Sequence, residues 1–420
     1  MIDDLLYRCP LCGAFDWLDK DRCVSCSATF RLTGRSAAEM NGERAPLSYW
    51  YDRTRGFDLA CGPDGTIAKS RRVTLSREAA SGMYHGFAGI TAYHFTRARI
   101  DEGTLTLTPS SLTFAGLAAR MTIPMEGILS LTIESNTLIV VGAGHGALFF
   151  DFHEESGKKW EDLLRKTLER HYEGDEIVEF YPRVRLRSGI TRTPRTEAPA
   201  RELRAPARRW YRKDTSLLET ILKPLGKFLV RALLTVEVRG VENIPKSDPA
   251  VILPNHESFL DSVILRFLTP RTIWFMAKNS EYRGAFMKWF LRHASTFPVR
   301  RYTIDVLAVR NAVRVVSSGN LLGIFPEGER TWDGRMLPIR MGAARLVLAL
   351  GVPVIPVGIS GAYDLMPRWT HSIRRADVRV AIGEPLNLPK IPVSRQTASD
   401  IDAASRAIRE AIERLRGGSA

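Results

Sequence analysis

The feature that most limits what this chain can fold into is a series of short apolar runs in its second half. Ala250–Leu253, Thr272–Met276, Ser295–Val299, Leu321–Phe325 and Pro353–Val357 are each of strand length. Segments of helical length, near 282–293, 304–318 and 339–350, lie between the later runs. A strand that is apolar throughout must be covered on both faces, and alternation of strand with helix supplies that cover. The expected fold class is α/β, a mixed sheet with flanking helices, whose strand ends offer places for chemistry. The tail, Ala398–Leu415, reads as an amphipathic helix.

The first 26 residues hold four of the five cysteines. Cys9-Pro-Leu-Cys12 and Cys23-Val-Ser-Cys26 are two C-x2-C knuckles. Each knuckle turns tightly enough to aim two thiolates at one ion, and four sulfurs in a tetrahedron favour zinc. All four ligands come from protein, so the ion is structural and leaves no open position for a substrate. Gly13 suits the turn after the first knuckle, and Ser27 stands at the matching place in the second. The pattern resembles a zinc ribbon. Cys61 stands alone and is expected in a core.

Residues 45–182 change character. Gly103–Thr108, Ser111–Phe114, Arg120–Ile123, Gly127–Ile133, Asn136–Val141 and Ala147–Phe152 are short β-prone runs at hairpin spacing. Ser156–His171 then carries Trp160, Leu163, Leu164 and Leu168 at helical spacing. Successive antiparallel strands closed by one helix resemble the pleckstrin-homology and GRAM-like superfold. That resemblance implies a lipid-headgroup or protein-binding module, or a scaffold with no ligand.

Between 183 and 213 stand ten arginines and Lys213 against Glu197 and Glu202, a net +9 of the chain's +14. Pro194, Pro199 and Pro206 break helices there, so this is a basic linker. In Asp214–Leu234, Glu219, Lys223, Lys227 and Arg231 recur every four residues beside a wide apolar face, which suits an interfacial helix or an ordinary helix packed on a core. Phe286, Trp289 and Phe290, among Arg283, Lys288 and Arg292, fit lipid contact or core packing equally. Such a charge balance favours anionic partners. The start of the chain has no basic-then-apolar signal pattern, and no run of 18 or more apolar residues occurs. The expected location is cytoplasmic, peripheral on the inner face of the membrane. An anionic membrane surface is the expected partner, and nucleic acid is not. Apolar residues at 45% and charged residues at 25% exclude a disordered chain. The expected domains are 1–40 (ribbon), 45–182 (β-rich), 183–213 (linker) and 214–420 (the α/β domain with its leading helix).

The first apolar run leads into Pro254-Asn255-His256-Glu257-Ser258-Phe259-Leu260-Asp261. A His at a strand end with an Asp five positions on, at a helix start, lets the carboxylate reach the imidazole. Such an Asp fixes the tautomer and leaves the other ring nitrogen to act as a base. Three more blocks follow: Phe297-Pro-Val-Arg300-Arg301, Phe325-Pro-Glu327-Gly328-Glu329-Arg330, and Val352-Pro-Val-Ile-Pro356-Val357.

These four blocks, in this order and spacing, strongly resemble the glycerophospholipid acyltransferase superfamily, of which the lysophosphatidic acid acyltransferases are familiar members. The resemblance covers about residues 235–390. It implies that His256 takes the proton from an acceptor hydroxyl and that Asp261 orients it. It implies substrate binding by Arg301, which would hold the acceptor's phosphate, and by Glu327, Gly328 and Arg330. Pro356 would pack near the acyl donor. The implied reaction is direct acyl transfer from acyl-CoA or acyl carrier protein to a lysophospholipid acceptor, with 1-acylglycerol-3-phosphate expected first. Two departures bear on the acceptor. Glu329 replaces the family's Thr and puts a negative charge beside the proposed phosphate site. Arg300 precedes Arg301, a pairing similar to glycerol-3-phosphate acyltransferases. Glycerol 3-phosphate or a non-phosphate lyso-lipid is thus an alternative acceptor. A non-catalytic membrane or nucleic-acid adaptor is the alternative to an enzyme.

Overall fold

The computed structural model describes residues 2–85, 91–190, 207–209, 224, 226, 228, 234–282, 287, 291 and 295–417. Most of the basic linker, nearly all of the helix expected over 214–234, and the Phe286, Trp289 and Phe290 group lie outside the described residues. The chain forms two compact units: Met1–Gly82 with His94–Ala205 and Arg300–Ile304, and Met83–Tyr93 with Pro206–Val299 and Asp305–Ala420.

The N-terminal unit begins with the cysteine knuckles and the short strands β1 (Leu18–Asp19) and β2 (Arg22–Cys23). Strands β3 (Phe30–Leu32), β4 (Ala37–Met40) and β5 (Glu43–Pro46) form a small antiparallel sheet, and helix α1 (Leu47–Arg55) follows. The main sheet uses β6 (Ala68–His85), β7 (Thr91–Leu107), β8 (Ser111–Gly116), β9 (Arg120–Pro124), β10 (Ile128–Glu134), β11 (Thr137–Gly142) and β12 (Gly146–Phe152). Their order is β10-β11-β12-β6-β7-β8-β9. Helix α2 (Gly157–His171) starts where the Ser156 hydroxyl accepts from the amides of Lys158 and Lys159, an N-cap that satisfies two otherwise orphaned donors. It packs on β10 and β11, and its Trp160 stacks on Phe152.

All seven residues of β10 are buried, although from Leu129 onward they alternate between apolar and polar. Side chains alternate across a strand, so Leu129, Leu131 and Ile133 face one way and Ser130, Thr132 and Glu134 the other. Residues 300–302 of the same unit take part in covering that second face, with Tyr302 packed on Ile139 and Phe149. The knuckles are tied into the unit as well. The Tyr7 hydroxyl donates to Asp162 at 2.9 Å, and Thr54 donates to the carbonyl of Arg8 at 3.2 Å. Cys61 corrects the expectation made for it: it is exposed, in the irregular segment before β6, where no layer exists to bury it.

The C-terminal unit is built on one sheet of β13 (Thr235–Arg239), β14 (Ala250–Pro254), β15 (Ile273–Lys278), β16 (Thr296–Val299), β17 (Leu321–Gly323), β18 (Val354–Ser360) and β19 (Asp377–Ile382). The order is β13-β19-β18-β14-β17-β15-β16. Neighbours are parallel except β18 and β19, so the sheet is mixed. Its helices are α3 (Asp261–Leu268), α4 (Val306–Ser317), α5 (Met341–Leu350), α6 (Ala362–Leu365) and α7 (Ala398–Gly417). Strand β14 lies at the centre and is buried along its whole length. Ile252 packs with Ile264 and Leu265 of α3 on one face. Val251 and Leu253 pack with α4, α5 and α7 on the other. This two-sided burial is why the run Ala250–Leu253 carries no polar residue. No helix among the described residues is long and apolar enough to cross a membrane.

Candidate active site

The site grows from the end of the central strand. Just past β14, the buried Asn255 side chain copies one more step of strand pairing: its Oδ1 accepts from the Ile359 amide at 2.7 Å and its Nδ2 donates to the Ile359 carbonyl at 2.9 Å. This clamp to β18 fixes the point at which the backbone leaves the sheet and delivers His256 to the strand's end.

Helix α3 begins at Asp261, and the carboxylate folds back over its own loop. Oδ2 accepts from the amides of Glu257 (2.7 Å) and Ser258 (2.8 Å) and lies 2.9 Å from His256 Nδ1. Asp261 is fully buried, while the His256 side chain retains 18% of its exposure. Burial pushes the Asp261 carboxyl up to about 7, against the opposing pull of the Ser258 and Glu257 amides and the Arg330 charge. An imidazole held by its Nδ1 on a buried carboxylate is the arrangement that general-base chemistry uses.

The block after β17 supplies the second wall. Phe325 stacks on the His256 ring at 3.8 Å between centroids, and Phe275 stacks on Phe325 at 5.5 Å. Gly323 makes room for this column, since a Cβ there would sit 2.4 Å from the Phe275 ring. Gly328 closes a tight turn, its amide donating to the Phe325 carbonyl at 3.0 Å, with φ of 74°, a conformation that favours glycine. The turn aims Glu327 inward. One of its carboxylate oxygens accepts from the His256 amide at 2.7 Å and the other from the Leu337 amide at 2.6 Å. Glu327 therefore ties the loop carrying His256 to its own downstream loop. Burial pushes its carboxyl up to about 8.

Glu329, the departure from the family's Thr, turns inward too. Its oxygens pair with Arg340 at 3.0 Å and Arg368 at 2.6 Å. Arg368 also lies over the Trp332 ring at 4.3 Å. The negative charge that argued against a phosphate acceptor is thus neutralised within the fold. Arg330 extends over the Phe259 ring at 6.0 Å. The structure accordingly brings His256, Asp261, Glu327, Gly328 and Arg330 together within one unit.

Arg301 falls in the other unit. It pairs with Glu134 of β10 at 3.4 Å. Arg300 pairs with Glu78 at 2.6 Å and lies over Phe95, and Tyr302 also donates to Glu78. Glu257, Arg340, Arg368 and Arg416 carry no local motif, and sequence reasoning passed over them. Their partners lie from eleven to 159 residues away.

At the N-terminus, one sulfur each from Cys9, Cys12, Cys23 and Cys26 lie within 4.8 Å of one another. Cys9 and Cys26 are 3.9 Å apart and Cys12 and Cys23 3.6 Å. A regular tetrahedron with metal–sulfur bonds of about 2.3 Å requires about 3.8 Å between sulfurs, so this set fits a four-thiolate ion. Ser27 adopts φ of 58°, close to the 80° of Gly13, so both knuckles make the same turn.

Comparison with known proteins agrees with the geometry. The acyltransferase family model matches residues 235–360. A chloroplastic 1-acyl-sn-glycerol-3-phosphate acyltransferase of Brassica napus is 32% identical over 154 residues, 36% of this chain and 44% of that protein. A 1-acyl-sn-glycerol-3-phosphate acyltransferase of Bacillus subtilis is 26% identical over 184 residues, 43% of this chain and 89% of that protein. The crystal structure of the 1-acyl-sn-glycerophosphate acyltransferase of Thermotoga maritima aligns with a TM-score of 0.41 at 26% identity, covering 50% of this chain and 86% of that one. The chain spans less than half the length of the plant relatives it matches. Residues 235–360, the segment that carries the His256 site, thus match the acyltransferase family.

Proposed function

We propose that the chain is a membrane-associated O-acyltransferase. It moves a fatty acyl group from acyl-CoA or acyl carrier protein to a lysophospholipid hydroxyl, with 1-acylglycerol-3-phosphate as the first acceptor. The observation that carries this reading is the His256–Asp261–Glu327 arrangement at the end of the central strand. In the proposed reaction His256 takes the proton of the acceptor hydroxyl as its oxygen attacks the thioester carbonyl. The new C–O bond forms, the C–S bond breaks, and the imidazolium returns its proton to the departing thiolate. A positioned base of this kind contributes typically about 10²–10⁴-fold. Asp261 holds the ring by Nδ1, and Glu327 holds the backbone that carries it.

Arg330 is the cation of this unit proposed to meet the acceptor's phosphate. For Arg301 to do so it must exchange Glu134 for that phosphate. The inward pairing of Glu329 supports a phosphate-bearing acceptor. Membrane association is supported by helix α4, where Val306, Val309 and Val313 are 43–54% exposed beside the exposed Arg310 and Arg314. A helix with valines and arginines outward and no acid along its length suits an anionic bilayer surface. The inner face of the cytoplasmic membrane is the proposed location.

In this reading residues 1–40 are a zinc ribbon with a structural ion held by Cys9, Cys12, Cys23 and Cys26. Residues 45–182 are a pleckstrin-homology or GRAM-like module, and 183–213 link them to the acyltransferase domain of 214–420. The test is acyl transfer by the purified full chain with liposomes, a radiolabelled acyl thioester and a panel of acceptors. The panel holds lysophosphatidic acid, other lysophospholipids and glycerol 3-phosphate. Transfer to lysophosphatidic acid that disappears in His256→Ala is the expected result. Transfer that survives in His256→Ala would sink the mechanism.

A further inference from the structure

The last helix, α7, lies beyond the segment that matches the family and reaches back into the site. Its apolar face, Ile401, Ala404, Ile408 and Ile412, is buried. Its end presses so closely on β18 that a Cβ on Gly358 would sit 2.6 Å from the Arg416 amide nitrogen. Arg409 and Arg416 are seven residues apart and so share one helix face. Arg409 donates to the carbonyls of Met336 and Leu337 at 3.4 and 3.3 Å. A single nitrogen of Arg416 donates both to Glu257 Oε1 at 2.8 Å and to the Gly334 carbonyl at 2.9 Å. Glu257 follows His256 directly, and 334–337 is the loop whose Leu337 amide holds Glu327. Glu257 is otherwise held by the Tyr363 amide at 3.0 Å and by Asn255.

We propose that Arg416 is a positioning residue of the His256 site: its guanidinium fastens the loop carrying His256 to the loop holding Glu327, and with Arg409 it makes the C-terminal helix a brace for both. Glu257 is 4% exposed, and Arg416 is the cation paired with it. Loss of that cation leaves a buried carboxylate uncompensated one residue from the base. The other charged groups at His256 are Asp261 on its ring and Glu327 on its amide, with the Arg330 charge acting on Asp261, and none of them is altered in an Arg416 variant. Glu257, whose carboxyl burial already pushes up to about 7 with Arg416 in place, then takes up a proton, and the tie between the two loops is lost with the charge.

The inference rests on His256 being the proposed base, so the test reads the ring as well as turnover. Histidine-labelled full chain is titrated by NMR, the His256 signal being assigned with His256→Gln. Acyl transfer is measured on the same Arg416→Ala, Arg416→Lys and Glu257→Gln/Arg416→Ala proteins. In Arg416→Ala the His256 ring is expected to lose the single tautomer that its Nδ1 contact with Asp261 fixes, read from its ring-nitrogen signals, and kcat to fall at least tenfold with KM within twofold. Arg416→Lys should restore most of both, and the double variant should show the same loss as Arg416→Ala. An unchanged tautomer signature in Arg416→Ala overturns the proposal, whether activity is kept or lost through simple destabilisation. A tautomer signature that changes in Arg416→Ala while the parent chain shows no transferase activity removes the proposed function and leaves the brace standing.

Discussion

Two buried clusters of charge, one in each unit, use similar groups to different ends. In the N-terminal unit, Lys158 donates to Glu161 and Asp162 at 2.7 Å each. Arg165 takes the remaining Glu161 oxygen, and the Tyr7 and Tyr51 hydroxyls take the remaining oxygen of Asp162. All four carboxylate oxygens are partnered, and burial together with the Asp162 charge pushes both phenols up. In the C-terminal unit, Asp261 loads three partners on Oδ2, while its buried Oδ1 finds no hydrogen-bond partner among the described residues. Glu257 and Glu327 lie close by, with a half-buried histidine in their midst. A cluster in which every atom is satisfied holds a structure together. One that leaves an oxygen unsatisfied beside a partly exposed imidazole stores the imbalance that chemistry draws on.

That contrast can be broken from either side. His256→Ala should lower kcat/KM by about 10²–10⁴-fold while leaving the thermal midpoint nearly unchanged, since the Asp261 carboxylate keeps its two backbone donors. Equal losses of activity and stability would erase the distinction between the clusters. Lys158→Ala should do the reverse. It strands two buried carboxylates and should cost the N-terminal unit about 3–5 kcal/mol in denaturant unfolding, with turnover per folded molecule within twofold.

A metal prediction sharpens the same unit. One zinc per chain should be found by elemental analysis. Its removal by a chelator, or Cys12→Ser, should lower the unfolding midpoint of the N-terminal unit, because Tyr7 couples the knuckles to Asp162. The most gradual effect expected is in pH dependence. Glu257 and Asp261 are raised to about 7 and Glu327 to about 8, in each case chiefly by burial. A carboxyl whose folded value lies above its unfolded one binds its proton more tightly when folded. The stability this gives is complete below about pH 4 and is lost as pH rises through 7 to 8. Glu327→Gln should flatten that decline by at most one proton, about 1.4 kcal/mol per pH unit. An unchanged slope would mean that Glu327 is already ionised at low pH.

What could be read from the sequence was what is close together in it. The five-residue step from His256 to Asp261 and the two cysteine knuckles are local geometries, fixed by one turn or one strand–helix junction. The apolar runs of β14, β17 and β18 announced a sheet because burial on both faces leaves no room for a polar residue. Strand β6 escaped notice because its polar and charged residues hide any apolar alternation. Cys61 was misjudged because nothing in its own neighbourhood says whether a layer will cover it. Glu329 was suspect in the sequence because charge alone is visible there, whereas its two arginine partners come from eleven and 39 residues further on.

The sequence by itself determined the alternation of strand and helix in the C-terminal unit, the resemblance to the acyltransferases, and the short-range pairs that a turn or a helix start can bring together. Only the tertiary structure decided where long side chains find their partners. It set Arg301 on Glu134, Arg416 on Glu257 and Tyr7 on Asp162. The physical reason is one of reach. A motif specifies backbone geometry over a few residues. The partner of a buried charge is instead chosen by whichever distant element the packing of the core carries to within 3 Å or so of it.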